Sequence, residues 1–285
     1  MTLHRILAAT DFSAHSRAAL SRAAAVARAR HAQLIVAHVF DKGRYVSSVG
    51  RALDAERLTD EKNGLRLLLE GTCSDLGADL AISSMFLEGL PDEQIVEAAQ
   101  AMSVDLVFVG SHGRTGLERL LTGSVAENVV RMSLIPTVLG RGPAEAGFHR
   151  ILVATDFSDF ADRALAAAVE LAEPPARIEL LHVVHVPAGF GGEPMILVED
   201  STFAALEADA RQRGAERLAR IAGPGLELHF DCVVGAPREA ILRAVGKNHD
   251  LVALGSHGRR GLRRLLLGSV AETVMRHAPC SVLVA

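Results

Sequence analysis

Gly110, Gly113, Gly123 and Ser124 stand in the spacing G-x2-G-x9-G-S, and Gly255, Gly258, Gly268 and Ser269 repeat it 145 residues further on. Glycine lets a main chain take unusual angles and lets a ligand approach it closely, and the first amides of a helix have no partner inside that helix. A helix opening at Gly123-Ser124 offers the free amides of Ser124 and Val125, the Ser124 hydroxyl and a positive dipole end, all suited to phosphate oxygens. Ser269 and Val270 offer the same in the second copy. Arg114, Arg119, Arg259 and Arg264 either add charge nearby or are solvated surface groups. The competing reading is structural: the glycines mark tight turns and Ser124 is an ordinary helix N-cap. The chain contains no G-x4-G-K-[ST], no GxGxxG and no SGGxDS, which sets aside a P-loop ATPase, a dinucleotide fold and a pyrophosphate-cleaving synthetase.

Each glycine segment has an acid far upstream. Asp11 and Asp156 close the first apolar run of each half, where a carboxylate can bond a sugar hydroxyl or help hold a metal carried by phosphates; alternatively, Asp11 or Ser13 caps the following helix. His112 and His257 lie inside the glycine segments. No nucleophile or paired acid stands at a fixed spacing from them, so a phosphate-side hydrogen bond or a solvent-facing position fits better than general-base catalysis, and no catalytic residue is assigned. His38 and His182, set among apolar residues, read as structural. The twelve histidines share no close spacing that would make a metal cluster.

The elements that must position these residues repeat as well. Segments Gly110 to Arg131 and Gly255 to Arg276 agree at 17 of 22 positions, and HRILAATDFS from His4 agrees with HRILVATDFS from His149 at nine of ten. Two copies of one domain are expected, residues 1–140 and 148–285, joined by a Gly- and Pro-bearing linker at 141–147. In the first copy the patterning predicts strands at Arg5–Thr10, Gln33–Phe40, Asp79–Leu87, Asp105–Val109 and Pro136–Leu139. Helices are predicted at Ala14–Arg30, Leu53–Leu76, Gln94–Met102 and Val125–Met132. The second copy predicts strands at Arg150–Thr155, Arg177–Val184, Leu226–Val233, Asp250–Leu254 and Ser281–Val284, with helices at Ala161–Ala172, Phe203–Ile221, Arg238–Val245 and Val270–His277. Alternating apolar strands and helices call for α/β domains, each an open, doubly wound parallel sheet of about five strands. Ligands of such sheets bind beyond the carboxyl ends of the strands, where both glycine segments begin. The short last strands are expected to pair the two domains within the chain, and a homodimer is open.

The composition is that of a globular chain, 49% hydrophobic and 22% charged, with net charge −4, which gives no nucleic-acid footprint and no attraction to an anionic membrane. Cys73, Cys232 and Cys280 form no CxxC, so neither a disulfide framework nor a zinc site is implied. Without a leader-like start or a long apolar run, the protein is expected to be cytoplasmic. The Pro187 to Pro194 loop reads as a flexible connector or as a lid over the second site. Its counterpart, Asp41 to Gly50, holds the only tyrosine, Tyr45, and no such pattern, so the halves are expected to differ in affinity or access.

The ATDFS strand ends, the His-Val pairs His38-Val39 and His182-Val183, Gly89 to Pro91 and Gly235 to Pro237, both glycine motifs and the closing PTVL and SVLV strands together resemble a tandem universal stress protein. The resemblance covers nearly the whole chain. It implies an adenine nucleotide alpha hydrolase-like fold, and in that family the full glycine motif goes with ATP binding, with Mg2+ accompanying the nucleotide. Carried over by position, it places adenine and ribose contacts at Ala9, Thr10, Asp11 and Val39, with phosphate contacts at Gly110, Gly113, Gly123, Ser124 and Val125. In the second half the corresponding residues are Ala154, Thr155, Asp156, Val183, Gly255, Gly258, Gly268, Ser269 and Val270. Val109 and Leu254 are expected to line the base pocket. Ser281 departs from the family's usual proline, away from the expected site. The function so implied is a regulatory, stress-response ATP binder with two sites. A slow ATPase or adenine-nucleotide hydrolase, and an interaction module with structural nucleotide, are the alternatives.

Overall fold

Apolar runs too short for a helix, flanked by turn residues, form strands that are buried in the centre of each unit and partly exposed at Ile82–Glu88 and Leu226–Val234, and the stretches between them form helices. The computed structural model describes residues 2–43, 55–111, 123–141, 147–185, 200–246, 248–258 and 267–285. The chain divides into two compact units, Thr2–Ala146 and Gly147–Ala285.

The first unit runs β1 (Arg5–Ala9), α1 (Ala14–Arg30), β2 (Gln33–Phe40), α2 (Ala55–Asp75), β3 (Ile82–Glu88), α3 (Pro91–Ala101), β4 (Leu106–Gly110), α4 (Ser124–Met132) and β5 (Thr137–Gly140). Its strands lie in the order β3-β2-β1-β4-β5 and every pairing is parallel. The chain leaves β1 in one direction through β2 and β3, then returns on its other side as β4. The switch of strand order therefore falls between β1 and β4, and the crevice of an open α/β sheet opens there.

The second unit repeats the plan with β6 (Phe148–Thr155), α5 (Asp159–Leu171), β7 (Ala172–Val184), α6 (Asp200–Ile221), β8 (Leu226–Val234), α7 (Pro237–Val245), β9 (Leu251–Leu254), α8 (Ser269–His277) and β10 (Ser281–Val284). Its order is β8-β7-β6-β9-β10, again parallel throughout. The fold is thus the tandem α/β architecture anticipated from the patterning. Side chains such as Ile6, Leu7, Leu106 and Phe108 in one unit, and Ile151, Leu152 and Val252 in the other, are fully buried. Among the described residues, no helix is long and apolar enough to cross a membrane.

The boundaries depart from expectation where prolines open helices. Helices α3 and α7 begin at Pro91 and Pro237 rather than at Gln94 and Arg238. A proline in the first turn forfeits an amide that has no helical partner anyway, and its fixed φ suits the helix. Strand β7 begins at Ala172, earlier than Arg177, because Ala172 pairs with Phe148 across a register shift.

An aspartate at the head of β4 and another at the head of β9 tie the amino edge of the sheet in each unit. Asp105 Oδ2 accepts from the amides of His4 (2.7 Å) and Arg5 (2.9 Å), and Asp250 Oδ2 from those of His149 (2.8 Å) and Arg150 (3.0 Å). An Asp105→Ala variant strips the His4 and Arg5 amides, at the start of β1, of a charged acceptor. Its stability should fall by about 1–2 kcal/mol in denaturant titration, with ligand affinity unchanged because the carboxylate sits at the opposite edge from the crevice.

Candidate functional site

The carboxyl edge of the second unit is built from a local turn. Thr155 ends β6, and its Oγ1 accepts from the Phe157 amide at 2.9 Å, holding Phe157 at φ 63 in the left-handed region. Asp156 Oδ1 accepts from the Ser158 amide at 3.0 Å and from the Ser158 hydroxyl at 2.5 Å. Ser158 is the N-cap of α5, its hydroxyl accepting from the Ala161 amide at 3.3 Å. In the first unit the Phe12 amide donates to Thr10 Oγ1 (3.0 Å), with Phe12 at φ 64, and the Ser13 amide to Asp11 Oδ1 (3.0 Å). Ser13 caps α1 by accepting from the Ser16 amide. The capping role belongs to the serines, and each aspartate shapes the turn through one oxygen.

His38 and His182 are structural, as read from their apolar setting. His38 Nδ1–H donates to the Thr10 carbonyl at 2.7 Å and His182 Nδ1–H to the Thr155 carbonyl at 2.8 Å. A carbonyl only accepts, which fixes the proton on Nδ1 in both rings.

Strand β6 pairs with β9, bringing Ala154 beside Leu254, and β1 pairs with β4, bringing Ala8 beside Phe108. This places the acid turn beside the glycine segment. A Cβ built on Gly258 would lie 3.1 Å from Asp156 Oδ2. The far end of the segment folds back: the Gly268 amide donates to the Ser256 carbonyl at 2.8 Å, and the Gly123 amide to Ser111 at the same distance.

That closure sets aside the competing reading of Ser124 as an N-cap. The N-caps of α4 and α8 are Gly123 and Gly268, without a side-chain cap among the described residues, and Ser124 and Ser269 are the first helical residues. A glycine cap has no oxygen to give, so the first amides of both helices keep their demand for an acceptor. Gly110 and Gly255 have a different origin from Gly258. A Cβ on Gly110 would stand 2.8 Å from the Ser16 amide nitrogen, and one on Gly255 2.8 Å from the Phe160 carbonyl carbon. Close approach of the first helix of each unit, rather than room for a ligand, is what requires glycine there.

In the second unit Ala154, Thr155, Asp156, Val183, Leu254, Gly255, Gly258, Gly268, Ser269 and Val270 all line one cavity of about 850 Å3. Its walls are apolar at the strand ends, through Leu181, Val183 and Leu254, and polar at Asp156 and the head of α8. His257 also lines it, with Nδ1 3.2 Å from Ser256 Oγ and Nε2 buried without a hydrogen-bond partner. In the first unit Ala9, Thr10 and Asp11 end β1, Val39 lies near the end of β2, Val109 and Gly110 end β4, and Gly123, Ser124 and Val125 open α4. Gly113, His112, Arg114, Arg119, Arg259, Arg264, Tyr45, the Pro187 to Pro194 loop and linker residues 142–146 lie outside the described residues. Among the described residues, no three of His, Cys, Asp and Glu gather as a metal centre. Cys73, Cys232 and Cys280 are free thiols, and burial pushes the Cys73 and Cys232 thiols above their ordinary range, away from nucleophilic chemistry.

The sequence profile of the universal stress protein family matches residues 2–141 and again residues 147–285. The chain belongs to the universal stress protein family. A universal stress protein of Mycobacterium tuberculosis is 28% identical to it over 297 residues, covering 99% of this chain and 97% of that one. A universal stress protein of Methanocaldococcus jannaschii is 28% identical over 152 residues, covering 47% of this chain and 93% of its own. The crystal structure of a universal stress protein from Archaeoglobus fulgidus matches with a TM-score of 0.69 at 25% identity, covering 99% of this chain and 97% of that one.

Two groups in this universal stress fold escaped the sequence reading. Phe157 sits under the cavity wall, its ring 4.4 Å from that of His182; its repetition in ATDFS was the signal available. Arg213 and Asp209, from α6, also line the cavity, and nothing in the local pattern separates Arg213 from Arg211, Arg217 and Arg220.

Proposed function

We propose that this chain is a regulatory, stress-response protein of the cytoplasm that binds ATP in each domain and acts through a change of bound state rather than turnover. The observation that carries the reading is the cavity of the second domain, where the acid turn, Gly258 and a helix end capped only by glycine surround one volume of about 850 Å3. Phosphate oxygens suit the amides of Ser269 and Val270 and the Ser269 hydroxyl. A base suits the apolar strand ends. Asp156 suits the ribose, or a divalent ion such as Mg2+ carried by the phosphates, because its Oδ2 is the oxygen beside Gly258. The identical glycine spacing supports the same assignment at Asp11, Gly113, Gly123 and Ser124. Among the described residues that line the cavity, none pairs a nucleophile with its base, which favours binding over catalysis.

Denaturing the purified chain and analysing the supernatant tests this directly. Released adenine nucleotide, or uptake of ATP in calorimetric titration approaching two per chain, is the expected result. A chain that releases none and takes up none overturns the proposal.

A further inference from the structure

The wall of the second domain's cavity away from the glycine segment comes from α6, which packs on β7 and β8 and contributes Leu206, Asp209, Ala210 and Arg213. The glycine segment follows β9, on the other side of β6. Two arginines of α6 lie over the Phe157 ring, Arg213 Cζ at 4.4 Å and Arg217 Cζ at 4.9 Å from its centroid. They are not equivalent. Arg217 forms a paired contact with Asp162 at 2.6 and 3.1 Å, donates to the Phe157 carbonyl at 3.3 Å, and is only 13% exposed. Arg213 has a looser partner, Asp209 at 3.6 Å, is 36% exposed, and lines the cavity.

In the first domain the corresponding helix, α2, also packs on β2 and β3, but its Arg66 lies over the Phe86 ring, 4.5 Å from the centroid, rather than over Phe12. Phe12 packs on His38 as Phe157 packs on His182, with ring centroids 4.6 Å apart, but no described cation lies over it. Glycine motifs repeat at 145 residues, and Gly89-Leu90-Pro91 repeats one residue later as Gly235-Ala236-Pro237. Counting back from Arg213 by either offset lands on a leucine, Leu68 or Leu67, which are 48% and 69% exposed. Counting back from Asp209 lands on Gly64 or Asn63.

Resting on the nucleotide reading above, we propose that Arg213 caps the base of the nucleotide in the second domain, so that the two sites of the chain are unequal and the second is the tighter. Phosphates take the amides at the head of α8, which leaves the planar part of the ligand to the strand ends at Leu181, Val183 and Leu254 and to the α6 wall. A guanidinium is a planar, delocalised, weakly hydrated cation that stacks on π faces, and it is held in place here by Phe157 and Asp209.

Calorimetric titration of the full chain with ATP, adenosine and inorganic tripolyphosphate decides the matter. The wild type should show two classes of ATP site. Arg213→Leu, which installs the first domain's residue, should weaken the tighter class about tenfold for ATP and for adenosine alike, and leave tripolyphosphate within about twofold. Arg213→Lys keeps the charge but loses the plane, so it should behave as the leucine variant does; it also carries the test if the leucine variant does not fold by ligand-free thermal melting. Unchanged ATP affinity in the folded variants, or equal losses for tripolyphosphate, overturns base capping. A wild type that binds neither ATP nor adenosine overturns the nucleotide reading itself.

Discussion

Gly258→Leu is expected to abolish nucleotide binding in the second domain, lowering affinity more than a hundredfold and reducing the stoichiometry of the chain from two nucleotides to one. A Cβ at this position already stands 3.1 Å from Asp156 Oδ2, and the branched side chain would occupy the space between the acid and the glycine segment. The backbone does not resist the change, since Gly258 lies outside the left-handed φ region and is exposed at the cavity rim. Unfolding without nucleotide should therefore stay within a few degrees of wild type. Titration gives the affinity and circular dichroism the melting point. Retained stoichiometry of two would remove Gly258 from the site.

Gly255→Ala should do the reverse. Its new methyl would stand 2.8 Å from the Phe160 carbonyl carbon and 3.0 Å from the Ala161 amide, and neither backbone atom can swing aside as a side chain can. Either β9 or the first turn of α5 must shift, an overpacking cost of about 3 kcal/mol, equivalent to roughly 10 °C in melting temperature. Gly110→Ala meets the Ser16 nitrogen and Cα at 2.8 and 2.9 Å and should behave likewise. A Gly255→Ala chain that melts with the wild type would show that the two layers have room to part. Two glycines of one motif thus separate experimentally, one through ligand affinity and the other through folding.

Their different roles mark the boundary of what the sequence discloses. Alternating apolar runs and the internal repeat were enough to give two doubly wound domains and to place Asp156 and Gly258 on one edge, because strand adjacency follows from right-handed crossovers. Spacing alone could not say why each glycine is glycine. Gly255 answers to a helix whose first turn lies almost a hundred residues upstream in the chain, and only the packed structure reports that approach. The competing reading of Ser124 as a cap fails by one residue, since the Gly123 amide is drawn back to the Ser111 carbonyl and the helix starts behind it. Arg213 was invisible for another reason: α6 carries Arg211, Arg213, Arg217 and Arg220, and which of them meet Phe157 depends on how the helix is rotated against β7 and β8.

The turn from Thr155 to Ser158 is closed by three hydrogen bonds of its own, and a fourth ties Ser158 to the Ala161 amide of α5. The conformational entropy of fixing Asp156 is consequently lost when the domain folds and not when a ligand arrives. Association then requires no rearrangement of this turn, and variants that leave it intact are expected to differ chiefly in residence time.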